Sequence, residues 1–327
     1  MRFVCPQCKG DLRFHADLYS CRRCYLQFPV ILGIPDFRLH PDPYISMEDD
    51  RRKGERLFRA SAGRSFEELV RYYYSITPEV PPDLAGRWTA HAVAQPWIAE
   101  YILQDTGILD GADGRKALLD VGCSTGGLLV TGAGHFSRVI GVDVAFRWLV
   151  IGQARLREAG IEALLVCANA EALPFPDGQF QAVTMIDVLE HVRDSAAALQ
   201  EARRALAPGG TTVCTTNNRY SPLNDPHVGV WGVGYVPRRW QAVYVAWRRP
   251  GLKEYCIRTR SRWDLARLFR SAGYRKCRSG PAPVCAPHVR SAAAQSLLRV
   301  YNRARTLPGL RTTLGMLGPV LLMIAQS

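Results

Sequence analysis

Hydrophobic and polar positions change their period along the chain, and the changes mark its parts. From residue 117 to 216, short apolar runs alternate with stretches of helical spacing. Ala117–Val121 and residues 139–142, 163–167, 182–186 and 211–215 read as buried strands, since such runs are too short for core helices. Residues 145–159 and 195–206 carry the helical period between them. Strands separated by helices imply βαβ units and a mostly parallel sheet. Pro208-Gly209-Gly210 reads as the helix end before the fifth strand. A helix over 261–273, a strand over 274–278 and a last strand over 320–325 complete the pattern. It predicts an α/β fold with a doubly wound, mostly parallel seven-stranded sheet.

The flanking stretches read differently. Residues 1–40 alternate strand-like pieces with cysteine turns and are expected to form a small module of their own. Residues 41–116 read as a helical linker or cap. Within it 48–59 is densely charged, 66–76 and 88–109 have helical spacing, as at Trp97, Tyr101 and Ile102, and Asp110-Gly111-Ala112-Asp113-Gly114 forms a closing turn. Residues 117–327 make the main domain, with an insertion at 217–262 rich in Arg, Trp, Tyr and Pro. Inside it Trp240, Val243, Tyr244 and Trp247 share one helical face, bracketed by Arg238, Arg239, Arg248 and Arg249. Such a stripe either packs on the core or meets a bilayer interface.

Composition adds exclusions. With 47% apolar and 22% charged residues in 327, the chain is not mainly disordered, collagen-like or coiled. No apolar run reaches the roughly 18 residues of a membrane span. The start Met1-Arg2-Phe3-Val4-Cys5-Pro6 lacks the apolar core of a secretory signal, so a cytoplasmic location is expected. Charge is uneven. From Arg238 to Ser327 there are 18 Lys/Arg against Glu254 and Asp264, a net +16, which leaves the first 237 residues at −3 of the overall +13. A cationic quarter on a near-neutral body suits phosphate-bearing partners: an anionic membrane, RNA or a phosphorylated substrate.

Ten cysteines are too few for a disulfide scaffold of this length. Cys5-Pro6-Gln7-Cys8 and Cys21-Arg22-Arg23-Cys24 pair in the spacing C-x2-C-x12-C-x2-C. Two such turns present four thiolates to a tetrahedral ion, so Cys5, Cys8, Cys21 and Cys24 are assigned to structural zinc. With four protein ligands the metal holds the fold and leaves no position for substrate.

The first main-domain strand runs into Leu118-Leu119-Asp120-Val121-Gly122-Cys123-Ser124-Thr125-Gly126-Gly127. A glycine loop between strand and helix lets a ligand approach the backbone. Asp143, 21 residues after Gly122 and ending the second strand, is placed to accept from ribose hydroxyls. The dinucleotide pattern G-x-G-x-x-G is not matched. Asp120 can orient the loop or meet a ligand ammonium.

This stretch resembles motif I of class I S-adenosylmethionine-dependent methyltransferases, of the type 11-like group, written D-V-G-C-G-T-G. Four later stretches follow the same family in order: Val139-Ile140-Gly141-Val142-Asp143; Asn169-Ala170-Glu171-Ala172-Leu173-Pro174-Phe175-Pro176-Asp177-Gly178-Gln179-Phe180; Asp187-Val188-Leu189-Glu190-His191-Val192; and Leu206-Ala207-Pro208-Gly209-Gly210. The N-terminal module resembles zinc ribbons fused to several bacterial methyltransferases, including its Gly33-Ile34-Pro35-Asp36-Phe37 tail. The resemblance implies a Rossmann-like methyltransferase fold and an S-adenosylmethionine cofactor. It implies that Asp143 meets the ribose, Asn169 and the Ala170 amide the adenine, and Asp120, Gly122 and Asp187 the methionine end, with Cys123, Ser124 and Gly126 in the loop. Two residues depart from the family: Ser124 stands at its middle glycine and Asn169 at its usual Asp. Asn169 can still accept from an adenine amino group, without charge.

Methyl transfer is an in-line displacement from a sulfonium, so the protein mainly positions and desolvates. A base is needed only where the acceptor loses a proton. His191 follows the fourth strand, but the Glu190-His191 pair recurs among members with unlike substrates, which favours a structural role. Asn217, Arg219, Tyr220 and His227 follow the fifth strand, on the side where doubly wound sheets gather ligands. His191, Tyr220 and His227 are the catalytic candidates. The acceptor is read as small or lipid-linked, with peripheral contact to an anionic membrane through the insertion. An rRNA or tRNA acceptor gripped through Arg13, Arg22 and Arg23 is the alternative, although no Asn-Pro-Pro-Tyr type motif is present. A catalytically inactive cofactor-binding subunit is a third reading, which the intact loop and Asp143 disfavour.

Overall fold

The computed structural model describes residues 1–109, 116–252, 255–287, 289 and 291–327. The expected turn at 110–114 lies outside the described residues. Four short strands open the chain: β1 (Leu12–His15), β2 (Leu18–Cys21), β3 (Gln27–Ile31) and β4 (Ile34–Pro35) form an antiparallel sheet in that order. Three helices follow, α1 (Met47–Ala60), α2 (Phe66–Ser75) and α3 (Pro82–Thr106). Each has a local reason to start. The Ser46 hydroxyl accepts from the Asp49 amide, Ser65 and Glu68 close a capping box, and Pro82 stands in the first turn of α3.

The main domain then alternates as expected: β5 (Ala117–Val121), α4 (Gly127–Gly132), β6 (Arg138–Asp143), α5 (Phe146–Glu158), β7 (Leu164–Cys167), β8 (Phe180–Ile186), α6 (Ser195–Ala205) and β9 (Leu206–Asn217). After the insertion, which holds α7 (Arg238–Arg248), come α8 (Arg262–Ser271), β10 (Lys276–Pro281), α9 (Ala292–Ala304), α10 (Pro308–Leu317) and β11 (Val320–Gln326). The sheet has seven strands in the order β10-β11-β9-β8-β5-β6-β7. The pairs among β5 to β9 are parallel, while β11 runs antiparallel to both β9 and β10. The α/β, mostly parallel seven-stranded architecture is therefore as the pattern predicts.

Two details differ. Pro208-Gly209-Gly210 does not end the helix. Leu206 already pairs with Phe180, and Thr211 with Ala182, so residues 207–210 bulge out of one long strand. Gly209 takes φ +74° there, which is why glycine stands in that bulge. The other difference is the excursion from 282 to 319, where α9 and α10 form helices that the apolar pattern did not predict.

One hydrophobic layer lies on each face of the sheet. Helices α6 and α8 cover one face through Leu199, Ala202, Leu265 and Phe269. Helices α1 to α5 contribute to the other through Leu57, Leu69, Leu103, Leu129 and Leu149. The N-terminal module shares the first layer: Phe3, Phe28 and Phe37 are buried in one cluster with Phe175 and Phe180. Its tail extends the sheet edge, since the Phe37 amide donates to the Cys167 carbonyl at 2.7 Å and Asp36 bridges Cys167.

A buried ionic cluster ties this tail to α5. Arg38 pairs with Asp36 at 2.7 Å and with Asp50 at 2.6 Å, and Arg147 pairs with Asp50 at 2.8 Å and Asp42 at 3.0 Å. Asp50 also accepts the amides of Phe146 and Arg147, and so caps α5 from another element. Buried charges persist only when fully paired, and each oxygen of Asp50 has a cationic partner.

Candidate functional site

The carboxyl ends of β5, β6 and β8 meet along one rim. At the end of β5 the amides of Gly122 and Cys123 both donate to the Val142 carbonyl, at 2.7 and 3.0 Å. This folds the loop tightly against β6. Gly122 has φ +77°, and a Cβ there would lie 2.4 Å from Val188 Cγ2, so both backbone and space require glycine. Gly126 has φ +74° and leads into α4. Ser124 adopts φ +49° between them, a left-handed conformation that costs an L-residue. Cys123 is buried, while Ser124 and Gly122 are half-buried along the loop.

Asp143 closes the loop from the other side. Its Oδ2 accepts from the Ser124 amide and its Oδ1 from the Ala145 amide, each at 2.8 Å. Each oxygen keeps a further lone pair for a ligand hydroxyl. Burial pushes Asp143 up to about 6 despite those two amides. Asp120 lies deeper. Burial pushes it up to about 7, although Thr184 Oγ1 donates to its Oδ1 at 2.7 Å. Asp187, after β8, has φ +54°, accepts from Thr215 Oγ1 at 2.9 Å, and is pushed up to about 7 by burial and by Glu190. Strained backbone and raised carboxyl pKa values on one rim mark a built site.

Asn169 corrects one expectation. Its Oδ1 already accepts from the amides of Leu39 at 2.8 Å and His40 at 3.1 Å, and its Nδ2 donates to the His40 carbonyl at 3.1 Å. Both carbonyl lone pairs are spent on the tail of the N-terminal module, so an adenine amino group finds no free acceptor on this side chain. Ala170 follows directly and is half-buried.

The insertion brings His227 against His191, with ring centroids 4.9 Å apart and an interplanar angle of 71°. The Asp225 carboxylate holds His227, with Oδ1 3.0 Å from Nδ1, and Tyr255 donates its hydroxyl to Asp225 Oδ2 at 2.8 Å. Burial opposes charge on His227, but Asp225 outweighs it and raises the pKa. Burial lowers that of His191. Asp225 and Tyr255 were not foreseen; the signal was the spacing Asp225-Pro226-His227, which puts a carboxylate two residues from the imidazole.

Glu190 is fully buried. Its Oε1 accepts from the Asn217 amide and side chain, and its Oε2 from Thr216 Oγ1. Its donor atom lies within 4.8 Å of those of His191 and His227, yet both its oxygens are committed to β9. Asn217 Nδ2 donates to Glu190, and Arg219 Nε donates to the carbonyl of Gly234 at 2.8 Å. Asn217 keeps its Oδ1 and a second N–H, and Arg219 its Nη1, so these bonds orient both side chains and leave them polar groups for a ligand. The Tyr220 ring lies under the Arg219 guanidinium and beside Tyr235.

The face of α7 is settled as exposed. Trp240, Val243 and Trp247 are 53%, 60% and 72% accessible, while Gln241 and Val245 turn inward onto Val228, Val230 and Val233. Tyr244 joins neither group fully and donates to the Trp231 carbonyl at 2.8 Å.

In the N-terminal module the four sulfurs of Cys5, Cys8, Cys21 and Cys24 lie within 4.8 Å of one another, with Cys5–Cys24 at 3.5 Å and Cys8–Cys21 at 3.4 Å. A tetrahedral ion with bonds of about 2.3 Å sets its sulfurs roughly 3.8 Å apart, so the donor set fits zinc. Burial opposes ionisation of Cys21, but the amides of Cys24 and Arg23 and the Cys8 thiol bring it down to about 6.

A methyltransferase domain family matches residues 119–214, which span the loop, Asp143, Asp187 and the start of β9. The chain is 30% identical over 202 residues to a demethylmenaquinone methyltransferase of Symbiobacterium thermophilum, covering 58% of this chain and 76% of that protein. It is 36% identical over 126 residues to a ubiquinone biosynthesis O-methyltransferase of Alkalilimnicola ehrlichii, covering 38% and 49%. Among solved structures it is similar to an S-adenosylmethionine-dependent methyltransferase from Aquifex aeolicus, at 14% identity and TM-score 0.44, covering 71% of this chain and 90% of that one.

Proposed function

The chain belongs to the S-adenosylmethionine-dependent methyltransferases, and on that premise we propose that it methylates a small, apolar, lipid-linked acceptor of the quinone-ring type. Two of its relatives are named for quinone methylation. The observation that carries the acceptor class is the exposed aromatic face of α7, in the insertion that also supplies His227. A helix that turns Trp240, Val243 and Trp247 outward suits an apolar tail beside the rim. Arg238, Arg239 and Arg248, all exposed, flank that face and suit an anionic headgroup region, whereas Arg249 is held by Asp83 and the Val228 carbonyl.

The cofactor's ribose is assigned to Asp143, and its methionine end to Asp120, Gly122 and Asp187. Its adenine is left to the Ala170 amide, beside the Leu39–His40 backbone that Asn169 pins. Cys123, Ser124 and Gly126 shape the loop under it. Bound there, the cofactor supplies a methyl already activated by its positive sulfur. The chain's own residues then fix alignment and exclude water. Where the acceptor is a ring hydroxyl, His227, oriented by Asp225, is the group placed to hold its proton. Cys5, Cys8, Cys21 and Cys24 hold a structural zinc that closes the N-terminal module.

The test is a labelled-methyl assay with this protein and fractionated cell extract. Label in the organic-extractable pool, chased into a quinone-type product, is the expected result. Label confined to RNA would replace this reading with the nucleic-acid one, for which the exposed Arg13, Arg22 and Arg23 of the N-terminal module are the available grip.

A further inference from the structure

The excursion between β10 and β11 is anchored by polar contacts and leaves an apolar face uncovered. Helix α9 has no buried residue. Its inner side is held by hydrogen bonds: Gln295 to the carbonyls of Ala286 and Val289, Asn302 to both backbone groups of Val284, and Tyr301 to the Ala282 carbonyl. Arg305 pairs with Asp105. On the outer side Ala293, Leu297, Val300 and Ala304 fall at i, i+4, i+7 and i+11 and form one stripe. Leu297 is 69% accessible and Val300 62%. Arg299 and Arg303, both exposed, flank one edge of that stripe. Leu307, Leu310 and Leu317 continue the exposed apolar surface through α10.

Topology places this surface on the rim of the site. Helix α10 ends at β11, whose first residue Val320 pairs with Asn217, the last residue of β9. Asn218 donates to the carbonyls of Met316 and Gly318 at 2.9 and 2.8 Å. The insertion with α7 starts from the same strand end. Both exposed amphipathic helices therefore leave the sheet on its carboxyl-end side, the side on which Asp143 ends β6 and Asp187 follows β8.

We propose that α9 and α10 are a membrane-docking element that lays the site's rim on an anionic bilayer. Charge selects that occupant. The last acid in the chain is Asp264, and from there to Ser327 the basic residues have no acidic counterpart in sequence. An apolar stripe with arginines along its edge matches the interface of an anionic leaflet: leucines enter the acyl boundary and guanidinium groups reach the phosphates. The inference rests on the lipid-linked acceptor reading for its purpose, but its evidence comes from a different part of the chain.

The test uses the intact protein and vesicles of phosphatidylcholine with about one-third phosphatidylglycerol, against vesicles of phosphatidylcholine alone. Co-sedimentation is expected with the anionic vesicles and to weaken strongly with salt. The double variant Leu297→Glu, Val300→Glu should lower that binding roughly tenfold or more. Both positions are exposed, so S-adenosylmethionine binding and the melting temperature should stay at the parent values, which shows that the variant is folded. Equal sedimentation of variant and parent overturns the proposal. So does equal binding to the neutral vesicles, or retention on RNA with none on either vesicle. Methyl transfer to a water-soluble short-chain quinol without vesicles is measured beside it. Its failure with vesicle binding intact removes the acceptor reading and leaves the docking element; its success with vesicle binding absent does the reverse.

Discussion

The Ser124 amide donates to Asp143 Oδ2 at 2.8 Å while Ser124 itself sits at φ +49°. One bond thus joins the strained centre of the glycine loop to the acid assigned to ribose. Asp143→Ala removes the ligand's acceptor and also strands the amides of Ser124 and Ala145. Cofactor affinity should fall by about 1.5–3 kcal/mol, roughly ten- to more than a hundredfold. Calorimetric titration decides it, and unchanged affinity would count against the site.

Ser124→Gly should act in the opposite direction. A left-handed L-residue costs about 1–2 kcal/mol, and glycine's extra chain entropy returns part of that. A gain of up to ~1 kcal/mol and a melting temperature higher by about 2 °C are expected. The Asp143 bond uses the backbone amide and survives the change. A lower melting temperature would mean that the Ser124 side chain holds the loop.

Gly122→Ala tests the tightest point. The added methyl meets Val188 Cγ2 at 2.4 Å on a backbone at φ +77°. Strain and overpacking together should cost about 2–4 kcal/mol. Because Val188 follows Asp187, cofactor binding should weaken with stability. Pairing the change with Val188→Ala should recover part of the loss but not the φ cost.

The strand and helix pattern was legible because β5 to β8 are covered on both faces and so read as short continuous apolar runs, set apart from the helical spacing between them. The zinc spacing and the glycine loop were legible because each demands residue types at fixed offsets. Asn169 was misread because its partners, Leu39 and His40, lie about 130 positions away in sequence and carry no pattern that points to it. The anchors of Asn217 and Arg219 were hidden although they lie nearer, since no spacing in the sequence points from Asn217 to Glu190 or from Arg219 to the Gly234 carbonyl. Helix α9 does carry a helical stripe at Ala293, Leu297, Val300 and Ala304; what the sequence could not give is that this face points outward, the reverse of what a surface helix usually presents.

Acid titration should separate two groups of residues. Asp225 lies below its ordinary pKa because its partners outweigh burial, so its contribution is present above the unfolded value and lost as pH falls through the folded one. His227 is raised, so its contribution is present below the unfolded value and lost as pH rises through the folded one. The pair should support the fold most between those limits, about pH 4 to 6.5. His227→Asn should lower the melting temperature in that window and change it little above the folded pKa. A difference independent of pH would show that His227 acts by packing alone.

Cofactor binding should carry its own pH dependence. Burial pushes Asp120 and Asp187 up to about 7 and Asp143 up to about 6, so protons compete with a cationic ligand there. A bound sulfonium and ammonium favour the ionised carboxylates. Affinity for S-adenosylmethionine should therefore rise from pH 5.5 to 7.5, with proton release on binding. Calorimetry in buffers of different ionisation enthalpy measures that release, and zero release at pH 6 would contradict it.

Metal removal tests how far the N-terminal module is independent. From sequence, a tight zinc chelator should unfold residues 1–40 and leave the main sheet. The structure adds three links that carry the loss further. Phe3, Phe28 and Phe37 share a core with Phe175, so unfolding the module uncovers apolar surface on the sheet. Asn169 clasps Leu39 and His40 beside the position assigned to adenine. Arg38 joins Asp36 to Asp50, which caps α5 just after Asp143. If the module opens, Asp50 loses one of its two arginines, and the loop bearing Asp143 loses the wall beside it. Chelation, or Cys21→Ser, should therefore weaken cofactor binding as well as melt the module, by roughly tenfold if one buried charged contact is lost. The melting curve should show an early step that bound cofactor shifts upward, since a ligand stabilises whatever must stay folded to hold it. Cofactor affinity untouched by full metal loss would show that the sheet holds its ligand without the module.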